Sequence, residues 1–236
     1  MRRRDLLSGL LLLGGGRILS EAAPIGNLSA FFSPGPLCRP DGPGMQICEG
    51  RSCVFMAAVA SRAQENSKWC WAACLEMAFT CFDHHVSQEA IVKSTWGDIR
   101  NAPASVDMLV ATLNREYVGA RGERFHPQAQ LIDRTTTVFS DMASLGRTFD
   151  HVAAGKPAIV ASFTPRGTGH ATMLIGLTVR RSADGKSLPE FRSARVYDPW
   201  PDEKGRSQNR DFTLGDWNRS PFILLIDFPA TKGEQP

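Results

Sequence analysis

Two observations predict an α+β fold for this chain of 236 residues. Between residues 67 and 154, apolar side chains recur at helical spacing in four stretches. From residue 157 onward they form short apolar or alternating runs separated by turn signals, which is the texture of strands. Helices followed by strands, instead of alternating with them, place a helical half beside an antiparallel sheet half.

The elements follow in order. The apolar run Val54 to Ala60 is a candidate strand that opens the globular part. The first helix is expected over Ser67 to Phe82, with Trp71, Cys74, Leu75, Ala78 and Phe79 on one face and Asn66 or Ser67 as its cap. Ser87 caps a second helix beginning Gln88-Glu89-Ala90. A third is expected over Ser105 to Tyr117, burying Val106, Leu109, Val110 and Leu113, and a fourth over Met142 to Ala154, closed by Gly155. The strands are Pro157 to Phe163, Ala171 to Arg180, Phe191 to Tyr197 and Phe222 to Phe228, with a turn at Ala183-Asp184-Gly185-Lys186. One domain over residues 54–230 and a short tail, 231–236, account for this part.

The first 53 residues differ. Arg2-Arg3-Arg4, the apolar stretch Leu6 to Leu13 and the small-residue site ending at Ala22 read as an export signal over residues 1–22. Tandem arginines before Asp5-Leu6-Leu7 resemble a twin-arginine signal. An uncleaved membrane anchor is the alternative, and the apolar run is too short for it. The expected location is therefore periplasmic or secreted. Residues 23–53, with Pro34-Gly35-Pro36 and Pro40-Asp41-Gly42-Pro43-Gly44, read as an irregular extension rich in Pro, Gly and Cys.

Cleavage at Ala22 removes four of the 27 basic and two of the 24 acidic residues and leaves a net charge of +1. That balance gives no argument for nucleic acid as a partner. Export permits disulfides among Cys38, Cys48, Cys53, Cys70, Cys74 and Cys81. A bond is expected among the first three, as Cys48–Cys53 or Cys38–Cys48. Cys74 and Cys81 lie seven apart on a helix, roughly 10 Å along its axis, too far to pair.

The chemistry centres on Gln64-Glu65-Asn66-Ser67-Lys68-Trp69-Cys70-Trp71-Ala72-Ala73. A cysteine at a helix N-terminus lies in the positive end of the macrodipole, which favours the nucleophilic thiolate. A Gln six residues upstream can aim its amide N–H at the oxyanion formed when sulfur attacks a carbonyl. His170, in Gly-Thr-Gly-His-Ala-Thr-Met, is the candidate base, and its small neighbours leave room for a substrate. Asp198, in Val-Tyr-Asp-Pro-Trp, can hold the other imidazole nitrogen and fix the tautomer, as an Asn carbonyl could with less charge. Trp200 can shield that bond. Each residue also has a plainer reading: a buried or bonded cysteine, a solvated Gln, a core His, a turn Asp and a packed Trp.

These motifs resemble those of the papain-like cysteine peptidases. Gln64 and Cys70 keep that superfamily's six-residue separation, Cys70-Trp71-Ala72 matches its Cys-Trp-Ala signature, and His170 has a similar Gly-His-Ala setting. Asp198-Pro199-Trp200 stands where the plant enzymes carry Asn-Ser-Trp. Asp in a Tyr-Asp-Pro context looks more like the bacteriocin-leader peptidases, and Trp-Cys-Trp-Ala-Ala-Cys looks like the short papain-like peptidases of bacterial effectors. Over roughly residues 60–200 the resemblance implies a papain-like fold, the nucleophile on the first helix and His and Asp on the sheet half. It also implies peptide or protein substrates and no cofactor or metal. Lys68-Trp69 replace the Gly-Ser of the larger enzymes, so their subsite preferences do not transfer. Three rival readings remain: transglutamination or deamidation by the same triad, a catalytically silent secreted binding module, and a zinc site of Cys70, Cys74, Cys81 and His84.

Overall fold

The computed structural model describes residues 35–56, 62–134, 139–163 and 169–229. The export signal expected at 1–22 and the tail at 231–236 lie outside the described residues. The fold is a mixed arrangement of helices and a predominantly antiparallel sheet.

Its first two strands come from the stretch read as irregular. β1 (Leu37–Pro40) and β2 (Met45–Arg51) form a hairpin. The prolines and glycines that suggested irregularity supply its turn, where Gly42 and Gly44 adopt positive φ. Cys38 and Cys48 are directly opposite in the ladder and form a cystine, one of the two pairings expected.

Val54 to Met56, the start of the strand expected over Val54 to Ala60, instead belongs to the single-turn helix α1 (Cys53–Met56), while residues 57–61 lie outside the described residues. A second cystine joins Cys53 to Cys81, a pairing with no local signal because the sequence separation is 28.

α2 (Cys70–Cys81) begins three residues later than the periodicity suggested. Neither Asn66 nor Ser67 caps it. The residues before it form a turn instead, closed by Trp69 N–H to Asn66 O at 3.0 Å and tied by Lys68 N–H to Asn101 Oδ1 at 2.9 Å. With α1 ahead of it, Cys70 stands on the second helix in chain order, not the first.

α3 (Gln88–Trp96) starts at the expected Ser87 cap, whose side chain accepts from Ala90 N–H. α4 (Val106–Leu113) has Ser105 as its cap and ends before the expected Tyr117, which enters the small strand pair β3 (Tyr117–Val118) and β4 (Arg124–Phe125). β5 (Gln128–Asp133), α5 (Phe139–Ala153), β6 (Ala158–Phe163), β7 (Gly169–Ser182), β8 (Glu190–Asp198), β9 (Gln208–Phe212), α6 (Leu214–Arg219) and β10 (Phe222–Asp227) complete the described elements.

Among the described residues, the main sheet has eight strands. One path through it runs β1-β2-β7-β6-β10-β5, and β8 and β9 branch from β7. The long strand β7 organises this sheet. β6 pairs along its first half and β2 along its second, while β8 takes the opposite edge. Strands therefore come from the whole described length, and the expected division into a helical half and a C-terminal sheet half is too simple.

Helices cover both faces of the sheet. On one face, α2, α3 and α4 pack Trp71, Leu75, Phe79, Ile91 and Leu109 against Ile159, Met173, Ile175, Leu224 and Ile226. On the other, α5 and α6 pack Phe149, Val152 and Trp217 against Val160, Leu174, Val196, Ile223 and Leu225. This explains why β10 reads as a continuous apolar run: both of its faces are buried. Among the described residues, no helix is long and apolar enough to cross a membrane.

Candidate active site

The start of α2 is fixed by the two tryptophans that flank Cys70. Trp69 and Trp71 are almost fully buried. Their indole N–H groups donate to Arg100 O at 2.9 Å and Ala102 O at 3.2 Å, tying the helix entrance to the segment before α4. Cys70, between these anchors, is only partly buried and free of any cystine. Trp69 occupies the cap position without a side-chain cap, and the first helical bond is Ala73 N–H to Trp69 O at 2.9 Å. The N–H groups of Cys70, Trp71 and Ala72 therefore precede the hydrogen-bonded ladder and favour negative charge beside the Cys70 sulfur.

His170 and Asp198 come from adjacent ends of neighbouring strands. The β7–β8 register reaches Met173 opposite Tyr197, so His170 lies three residues before that pair and Asp198 one residue after it. The imidazole Nε2 meets Asp198 Oδ1 at 2.7 Å, with both side chains 13% exposed. The Cys70 side chain is near enough to the ring to help raise its pKa. With Nε2–H donating to the carboxylate, Nδ1 is the nitrogen turned to sulfur.

Electrostatics agree with this order. Burial opposes the charged imidazole, but the hydrogen bonds to Asp198 and Cys70, with the negative charge of each, outweigh it and raise the His170 pKa to about 9. Burial also opposes the Asp198 carboxylate. The bond and charge of His170, the Trp200 N–H and Arg210 overcome that opposition and hold its pKa below the usual carboxylate range.

Asp198 has more partners than the sequence suggested. Oδ1 also accepts Trp200 N–H at 3.0 Å, and Oδ2 accepts Arg210 Nε–H at 2.9 Å. Arg210 escaped the sequence reading because β9, Gln-Asn-Arg-Asp-Phe, is polar and carries no apolar alternation. Trp200 is 51% exposed, which removes core packing as its role. Its backbone N–H hydrogen-bonds the carboxylate.

Gln64 is buried, unlike an ordinary loop Gln. Its backbone N–H donates to Pro199 O at 2.8 Å, placing it beside the Asp198 segment, and its side-chain Nε2 donates to Asn66 O at 2.8 Å in the turn before α2. That bond uses one of two amide hydrogens and leaves the other for a ligand. Among the described residues, no hydrogen bond links Gln64 to Cys70 or His170 directly. A polar cavity of about 660 Å³ flanks the site, lined by Arg62 and Ala63 just before Gln64 and by Asp202, Arg206, Gln208 and Asn209.

The remaining candidates separate from this group. Cys74, one turn after Cys70, is completely buried, and burial together with the nearby Cys70 and Asp198 charges pushes its thiol pKa well up. The zinc alternative loses Cys81 to its cystine with Cys53. His84 stacks on the Phe125 ring at 3.9 Å beside Glu123, and His151 faces Pro157 O at 3.0 Å.

A search of curated proteins finds no matching sequence. A family model does match, over residues 56–222, a span that contains Gln64, Cys70, His170, Asp198 and Arg210, and the chain belongs to the Peptidase_C39-like family.

Proposed function

We propose that this protein is an exported cysteine peptidase of papain-like fold that hydrolyses peptide bonds in peptide or protein substrates. The observation that carries the reading is the 2.7 Å hydrogen bond of His170 to the Asp198 carboxylate, with the free Cys70 thiol near enough to help raise the ring's pKa to about 9. That ring can take the thiol proton, giving a thiolate–imidazolium pair.

The thiolate adds to the scissile carbonyl carbon, and the oxygen becomes an oxyanion. The free Gln64 amide hydrogen and the Cys70 backbone N–H are its donors. Collapse of this intermediate breaks the C–N bond while imidazolium gives its Nδ1 proton to the departing amine, and a thioester remains on Cys70. His170, now neutral, takes a proton from water as the water oxygen attacks the thioester. The C–S bond breaks, the acid leaves and the thiolate–imidazolium pair is regenerated. Bonds and protons balance without a cofactor or metal.

The catalytic domain assigned to residues 54–230 needs the β1–β2 hairpin as well, since β2 pairs with β7 along seven positions. Two cystines support passage through an oxidising compartment, as does the export signal read in residues 1–22. The test uses the mature protein, a peptidyl epoxide and a quenched-fluorescence peptide library. The expected results are labelling at Cys70 and not Cys74, new peptide termini with the wild-type chain, and loss of cleavage in folded Cys70→Ala and His170→Ala. Ammonia release without new termini would assign the same triad to deamidation or transglutamination. Absence of Cys70 labelling would leave a binding module.

A further inference from the structure

We propose that Arg210 is a positioning residue of the triad, clamping Asp198 Oδ2 so that Oδ1 stays aimed at His170. The inference rests on the peptidase reading and goes beyond it by adding a fourth member from a different strand. Cross-strand register accounts for the placement. Asp198 is opposite Gln208 and Val196 opposite Arg210, so Arg210 is the diagonal same-face neighbour of Asp198 in the β8–β9 pair. The two carboxylate oxygens have separate duties. Oδ1 takes His170 Nε2–H and Trp200 N–H, at 2.7 and 3.0 Å, and Oδ2 takes Arg210 Nε–H at 2.9 Å.

A carboxylate held on one oxygen only can turn about its Cβ–Cγ bond. A charge-assisted bond to the second oxygen removes that freedom. The Arg210 side chain is 35% exposed and that of Asp198 13%, so the clamp works at the solvent edge of a largely buried carboxylate. Other titratable groups that interact electrostatically with this pair include His170 on β7, Cys74 on α2, and Asp216 on α6, which acts on the guanidinium. Arg210 touches neither sulfur nor the imidazole in this arrangement, so its influence passes through Asp198.

Arg210→Met and Arg210→Lys test the inference, with thermal unfolding as the check on folding. Two quantities are read: kcat and KM on one fluorogenic peptide that the wild type cleaves, and the rate of Cys70 alkylation by iodoacetamide against pH. For Arg210→Met, kcat falls on the order of tenfold to a hundredfold, as small misplacements of catalytic groups do, with KM unchanged. The acid limb of alkylation moves to higher pH because a loosened Asp198 supports the imidazolium less well. Arg210→Lys, which keeps a cationic donor, recovers part of the kcat. Wild-type kcat and a superimposable profile in Arg210→Met would overturn the inference. So would an acid limb displaced to lower pH, which would make Arg210 a competitor for the Asp198 charge instead of its clamp. A wild-type chain with inert Cys70 removes the peptidase reading and this inference together. A reactive wild type matched by Arg210→Met removes only the role of Arg210.

Discussion

The coupling between His170 and Asp198 can be isolated as a pH dependence of stability. In the wild-type chain, transfer of a proton from Cys70 to His170 leaves the proton count unchanged, which masks the linkage. Cys70→Ala removes the thiol and makes the linkage that of one ring. Its contributions to His170 vanish, so the folded pKa drops below about 9; the expected outcome is that the Asp198 hydrogen bond and charge, working against burial, keep it raised above its ordinary value. A raised folded pKa gives stability that is fully present below about pH 6.5 and is lost as pH rises through the folded pKa. The whole displacement from 6.5 to about 9 corresponds to ~3.4 kcal/mol at 1.36 kcal/mol per unit. That is a ceiling, and with the Cys70 contributions removed on the order of 1–2 kcal/mol is expected. Urea unfolding of Cys70→Ala between pH 5.5 and 9.5 should show this decline, and adding Asp198→Ala should flatten it. Equal slopes in the single and double variants would refute the coupling, as would a ring of His170 that titrates at its ordinary value by NMR in Cys70→Ala.

Three further outcomes follow from the geometry. Gln64→Ala should lower turnover by roughly tenfold to a thousandfold, the range for one oxyanion donor, while the Cys70 alkylation rate stays near wild type; unchanged turnover would reduce Gln64 to a structural residue of the Pro199 and Asn66 turn. Cys74→Ala should keep activity and the alkylation profile, since a completely buried thiol with a raised pKa does not react; loss of labelling in that variant would assign the reactive thiol to Cys74. Trp69→Ala should lower the unfolding free energy by about 3–5 kcal/mol and loosen the Arg100 segment, measured by urea unfolding and by amide exchange at Asn101 and Ala102.

Periodicity made much of the helical layer legible. Ser87 caps its helix as expected, and Ser105, read as the first residue of the next helix, is its cap; each lies directly before an amphipathic run, and a cap is a local interaction. The start of α2 was misjudged because its preceding turn is held by Asn101, more than thirty residues away, and a long-range bond leaves no local pattern. Residues 37–51 were misread for a similar reason. Their strands are defined by a cystine and by pairing with β7, while their composition speaks only of the turn between them. At the site, Gln64, Cys70, His170 and Asp198 stood out because each occupies a motif. Arg210 belongs to none, and only the β8–β9 register brings it to Asp198.

That register also revises what the orienting residue must be. From sequence alone an Asn at position 198 would serve as a weaker acceptor of the same kind, because a single oxygen suffices for one imidazole N–H. The structure surrounds this side chain with three donors: His170 Nε2–H and Trp200 N–H at one oxygen, and Arg210 Nε–H at the other. An amide offers one acceptor oxygen and one NH₂ group. With its oxygen toward His170, an Asn would set its NH₂ against the guanidinium, donor against donor. With the amide reversed, it would satisfy Arg210 and present N–H to both the imidazole and Trp200. Neither orientation satisfies all three, and an unmatched donor pair in a largely buried place is costly. A carboxylate accepts from every side. The fit of Asp over Asn at this position is therefore tied to Arg210, and with Arg210 as the clamp proposed above the two residues act as one unit that orients His170.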